Sequence, residues 1–227
     1  GRIYQALQAI ETKKSPPLSP IVFLKADQKE ILNCQNISIQ FSGKTKPVLS
    51  NFSYSFLKGK IYCIYGPSGS GKSTLIKTLL GLIQPNSGQI SYYEPIKKMA
   101  DIGYVPQHTQ LGHLSILENI TYPSFNIDST RAEEALRSVG LNLLPKKLPQ
   151  GINTLVGDYN KIKLSGGQNQ RIALARILYH QFPLVLIDEG FSALDIEGES
   201  FIYSNLKKLI ISYFAIFTKI SNKFYKN

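Results

Sequence analysis

Between residues 31 and 41 the pattern becomes strand-like, with Ile37, Ile39 and Phe41 on one face and Ser38 and Gln40 on the other. A period of two predicts a half-buried β-strand. Gly43 and Pro47 bound a turn, and a second strand over 52–57 ends at Lys58, Gly59 and Lys60. A third apolar run over 61–65 leads into a glycine-rich stretch, and a helical pattern follows over 73–82. Two antiparallel strands, then a strand, a glycine-rich turn and a helix, predict an α/β fold with a mixed sheet.

The same periodicities divide the rest of the chain. Ile3, Leu7 and Ile10 share one face of a predicted helix over 1–14, which should stop before Pro16, Pro17 and Pro20. So short a helix is marginal alone and implies a partner surface or a longer helix upstream. Beyond the break at 85–88, residues 89–93 and 102–105 read as strands and 115–120 as a short helix. A helix over 130–139 opens with a capping box, Thr130 and Glu133, and ends at Gly140. Residues 145–163 read as an exposed loop, and Ser165 opens a helix that runs to about residue 181. Leu184, Val185, Leu186 and Ile187 form a continuous apolar run, the pattern of a strand buried on both faces. A helix over 197–209 and a strand over 210–217 complete the order.

A chain of 227 residues, 43% hydrophobic, can bury a sizeable core as one domain. The formal charge of +11 would suit nucleotides, nucleic acid or an anionic membrane face, but the surplus is spread over short pairs such as Lys97-Lys98 and Lys146-Lys147. That scatter favours a solvated surface over a nucleic-acid groove. Cys34 and Cys63 show no metal-ligand spacing, which points to a reduced intracellular protein. No apolar stretch reaches the roughly 18–20 residues of a membrane span. Either the protein is soluble or its membrane spans lie outside this chain.

The glycine-rich stretch carries the clearest chemistry. Gly66, Pro67, Ser68, Gly69, Ser70, Gly71, Lys72, Ser73 and Thr74 satisfy G-x-x-x-x-G-K-[ST] between a strand and a helix. Three glycines let backbone N–H groups turn inward toward a polyphosphate at the positive end of the helix. Lys72 is placed to reach β- and γ-phosphates, and Ser73 to offer its hydroxyl to Mg²⁺. A turn that binds nothing would explain neither residue. Asp188 and Glu189 leave the C-terminal end of the apolar strand, where ligands of open α/β sheets bind. Asp188 can hold Mg²⁺ directly or through water, and Glu189 can polarise an attacking water.

Taken together, the motifs resemble the nucleotide-binding domain of an ATP-binding cassette (ABC) transporter over about residues 31–220. Residues 66–74 match Walker A, Gln107 after Tyr104-Val105-Pro106 matches the Q-loop, and Leu164, Ser165, Gly166, Gly167 and Gln168 match the signature unbroken. Residues 184–189 resemble Walker B with its glutamate, and Ser192, Ala193, Leu194 and Asp195 resemble the D-loop. The resemblance implies a P-loop ATPase core with a mixed central sheet, an antiparallel β subdomain and an α-helical subdomain at about 108–181. It also implies ATP and Mg²⁺, with Ser73, Gln107 and Asp188 around the metal and Glu189, Gln107 and Lys72 catalytic. Phe41 falls where the family stacks adenine on an aromatic, the alternative being an inward core residue.

In that family two domains, identical or different, pair head to tail, so that one signature closes over the nucleotide on the other cradle. Weaker matches at 1–10, 115–120 and 154–158 point to the exporter branch. On this reading residues 1–20 connect to transmembrane domains and 21–227 form the nucleotide-binding domain. It would sit at the cytoplasmic face of the inner or cell membrane, touch the membrane through those domains and bind no nucleic acid. Lys219 departs from the pattern, standing where a switch histidine is usual. A lysine is a cation that accepts no hydrogen bond. Lys219 keeps open the alternative of a hydrolysis-impaired nucleotide-gated module, and the net charge permits a soluble ABC ATPase acting on nucleic acid or ribosomes.

Overall fold

The computed structural model describes residues 21–25, 29–157, 162–189, 195–210 and 214–217, and these hold two four-stranded sheets. In chain order the strands are β1 (Ile21–Leu24), β2 (Glu30–Ile39), β3 (Leu49–Leu57), β4 (Ile61–Cys63), β5 (Ser87–Tyr93), β6 (Ile102–Val105), β7 (Leu184–Ile187) and β8 (Phe214–Phe217). The helices are α1 (Lys72–Leu79), α2 (Ile116–Thr121), α3 (Ser129–Ser138), α4 (Gly166–His180) and α5 (Ile196–Ile210). One sheet, in the order β1-β5-β2-β3, mixes a parallel β1–β5 pair with antiparallel neighbours. The other, β4-β8-β7-β6, is parallel throughout and carries the glycine-rich turn. The α/β class is the one that the strand and helix order implied, and the P-loop core the one that the resemblance implied.

Helix α1 lies between the sheets. Its Leu75, Ile76 and Leu79 share a core with Ile37 and Ile39 of β2 and with Leu184 and Leu186 of β7. Val185 and Ile187 point the other way, into a second core with Ile116 and Ile120 of α2, Ala135 and Leu136 of α3, and Ile172 and Ala173 of α4. Strand β7 is therefore buried on both faces, as its unbroken apolar run predicts. Each fully buried Leu or Ile contributes about 1.5–3 kcal/mol, which fixes the strand that ends at Asp188.

Local departures from the sequence reading have local causes. Helix α3 starts at Ser129 because Asp128, a better cap than Thr130, accepts the Arg131 N–H at 3.0 Å. Tyr179 holds the cap in place by donor contact in reverse, its hydroxyl accepting the Asp128 N–H at 3.1 Å. The described part of the 145–163 loop contains two short 3₁₀ turns, Pro145–Lys147 and Gly151–Asn153, and a bridge between Leu155 and Ser115. Strand β1 was not signalled, since four residues give no readable alternation and its pairing to β5 is long-range. The 1–14 helix and the proline linker lie outside the described residues. Among the described residues no helix is long and apolar enough to cross a membrane.

Candidate functional site

Strand β4 feeds the cradle, and the backbone there demands glycine. Gly71 sits at φ 91°, and a Cβ on it would lie 2.8 Å from Val48 Cγ1 and 3.1 Å from the Val48 carbonyl oxygen. Helix α1 begins at the next residue with no side-chain cap and no acid in its first turn. Its leading N–H groups are thus left for an external anion, at the end where the helix dipole favours negative charge. The Lys72 ammonium donates to the carbonyls of Gly66 and Pro67, both at 2.9 Å, folding across the loop's own rim. Those bonds use two of its three N–H donors and leave the third for a phosphate.

The catalytic end of the site follows from strand register. Val105 of β6 pairs with Ile187 of β7, and two residues further along each chain stand Gln107 and Glu189. The Asp188 N–H donates to the Val105 carbonyl at 2.9 Å, and the Gln107 amide then donates to the Glu189 carboxylate at 2.9 Å. Glu189 adopts φ 51°, an unusual conformation for a side-chain-bearing residue. A cleft of about 260 Å³ gathers Gln107 and Glu189 with cradle residues Ser68, Gly69, Gly71, Lys72, Ser73 and Thr74. Val48 completes its wall. Asp188 is buried at the end of β7. Burial and the charge of Asp188 together raise the pKa of the Tyr104 phenol, so Tyr104 stays neutral beside it.

The signature lies elsewhere. None of its residues lines that cleft. Ser165 caps α4, accepting the Gln168 N–H at 3.2 Å, while the Gln168 side chain accepts the Ser165 N–H at 2.8 Å. Ser165 and Gly166 face solvent, and a Cβ on Gly166 would meet nothing within 4 Å. Phe41 follows β2 and is 41% exposed, so the core alternative for it does not hold. Asp195 caps α5, accepting the Gly198 N–H at 3.1 Å, and pairs with Arg171 at 3.6 Å. Ser192, Ala193, Leu194 and Lys219 lie outside the described residues.

Two residues at the site had not been singled out. Val48 gives no signal in the sequence, since its role is a contact with Gly71 across the fold. Gln170 had one. It is a polar residue one helical turn before Ala173 and Leu174 on α4, and it proves 2% exposed.

A further segment is built around Asn119, whose buried carboxamide bonds Gly112, Leu114 and Ser115 backbone groups. Residues 154–156 are held against it, with Ile116 N–H donating to Thr154 and Val156 N–H to Leu114. Ser115 and Glu118 form a full capping box there, and donation from Ser115 lowers the Glu118 pKa.

A family model described as ABC transporter matches residues 49–192. The chain belongs to the ABC transporter family. This ABC domain is 37% identical over 224 residues to the mitochondrial ATP-binding cassette sub-family B member 10 of Mus musculus, covering 92% of this chain and 30% of the relative. It is 34% identical over 186 residues to an ATP-dependent lipid A-core flippase of Cupriavidus metallidurans, covering 78% of this chain and 31% of that protein. A solved structure, a bacterial Atm1-family ABC exporter with ATP bound, superposes with TM-score 0.78 at 26% identity, covering 95% of this chain and 39% of that one. The ABC domain is of the exporter type, and it spans about a third of the length of the curated relatives it matches.

Proposed function

We propose that the domain binds ATP on the 66–74 cradle and hydrolyses it when the Ser165-Gly166-Gly167 helix start of a second nucleotide-binding domain closes over the nucleotide. The observation that carries this reading is the cleft in which Gln107 and Glu189 face Lys72 and Ser73. Glu189 orients and deprotonates a water, whose oxygen bonds the γ-phosphorus as the bond to the β-phosphate oxygen breaks and ADP leaves. Lys72 turns its remaining N–H and its charge toward the β- and γ-phosphates. Phe41 offers an exposed ring for the adenine.

The donors present suit magnesium. Ser73 gives a hydroxyl, Gln107 an amide oxygen and Asp188 a carboxylate, all hard oxygen ligands. Among the described residues no cluster of three His, Cys, Asp or Glu side chains could cage a metal alone. Mg²⁺ keeps several waters and is held through one or two carboxylates together with phosphate oxygens. When bound, Mg²⁺ neutralises phosphate charge.

Residues 1–20 would then join this domain to transmembrane domains, and ATP-driven pairing at the cytoplasmic face would drive export. The exporter relatives support this, being about three times as long as the chain. Steady-state phosphate release tests the reading. Saturable hydrolysis with MgATP, abolished by EDTA and restored by Mg²⁺, is expected, and no release at any protein concentration would overturn it.

Lys219 supports a second reading, a domain that binds and pairs but turns over slowly. Lys219→His is then expected to raise kcat with little change in ATP affinity. An unchanged or lower rate counts against slow turnover from this position.

A further inference from the structure

Where β6 and β7 end, their chains run on as two separate segments, one carrying Gln107 and the other Glu189. Gln170 of α4 reaches both. Its amide nitrogen lies 3.4 Å from the Gln107 carbonyl oxygen and 3.4 Å from the Glu189 carbonyl oxygen, and the side chain is 2% exposed. A carboxamide nitrogen carries two N–H donors, one for each carbonyl. The bond at Glu189 falls on a residue at φ 51°, where the backbone needs outside support to hold its aim. The next residue, Arg171, ties the same turn of α4 to Asp195 and to the Val139 carbonyl.

We infer that Gln170 is a positioning residue for hydrolysis, bracing the Gln107 and Glu189 peptides against the signature helix. This rests on the ATPase reading above. Gln170 stands five residues after Ser165, about 7.5 Å along the helix axis. The first turn of α4 thus serves the nucleotide of the neighbouring domain while the second holds this domain's own water-activating pair. A displacement of the helix start on one nucleotide reaches Glu189 at the other, which gives the two composite sites a route for cooperativity.

The test uses Gln170→Met and Gln170→Glu in the full-length protein. Both keep the outline of the side chain and lose the N–H donors. Expected are a kcat lower by about 10- to 100-fold, as for a small misplacement of a catalytic group. KM for MgATP should stay within about threefold, and the Hill coefficient should fall toward one. A melting temperature taken alongside separates a folding defect from a brace. If Gln170→Met, which has no donor at all, melts as the parent does and keeps its kcat within about twofold, the inference is overturned. It is also overturned if activity falls only in proportion to the unfolded fraction. The parent and Glu189→Gln are run together with them. A parent without MgATPase activity overturns the functional reading and the brace with it, whereas an active parent with active Gln170 variants removes the brace alone.

Discussion

Glu189→Gln should stop turnover and leave nucleotide binding intact, with kcat reduced by about 10²- to 10⁴-fold, the usual contribution of a positioned base. The geometry makes this substitution clean. The Gln107 amide donates to a Glu189 side-chain oxygen at 2.9 Å, and a glutamine oxygen can accept the same bond. The backbone at φ 51° costs a glutamine no more than a glutamate, since neither is branched at Cβ. What is lost is the charge that draws a proton from water. The melting temperature without nucleotide should therefore match the parent. In MgATP the variant should accumulate as a pair of domains, because hydrolysis is the step that would release them. Phosphate release and sedimentation in MgATP measure the two effects together. A variant that still hydrolyses at more than about a tenth of the parental rate would assign the base to another group.

How much of this site was legible beforehand depends on whether a residue's role is local. The cradle is read from nine consecutive positions, because its chemistry is made of consecutive backbone N–H groups at one helix start. The signature is similar, and Ser165 and Gln168 close their capping box within four residues. Asp188 and Glu189 were legible from the apolar run before them, which fixes a buried strand and so fixes its end. That Gln107 meets Glu189 was not derivable from spacing. It follows from the register of β6 against β7, a pairing 82 residues apart in the chain. Val48 and Gln170 depend on the same kind of long-range contact, so neither carries a motif. The Thr130 capping box failed for the opposite reason, since two local caps competed and the neighbouring Tyr179 hydroxyl favoured Asp128.

Gly166→Asp should separate the domain's stability from its action on a partner. Gly166 is the first residue of α4, with open space where a side chain would go. Within one domain the change is favourable. An acid in the first turn complements the helix dipole by about 0.3–1 kcal/mol, and replacing glycine removes entropy from the unfolded chain. Across a composite site the sign reverses, because the same carboxylate would face the γ-phosphate on the neighbouring cradle. The expected result is a melting temperature equal to or above the parent's, unchanged MgATP binding to the cradle, and a loss of ATP-driven pairing and of turnover exceeding about 100-fold, the effect of placing like charges together in a desolvated site. Gly71→Ala offers the contrast. Its Cβ would strike Val48 at 2.8 Å in a left-handed backbone, so it should damage nucleotide binding within its own domain. Thermal melting, nucleotide titration and phosphate release on both variants distinguish the cases. Should Gly166→Asp hydrolyse ATP at the parental rate, the start of α4 does not close over a second domain's nucleotide.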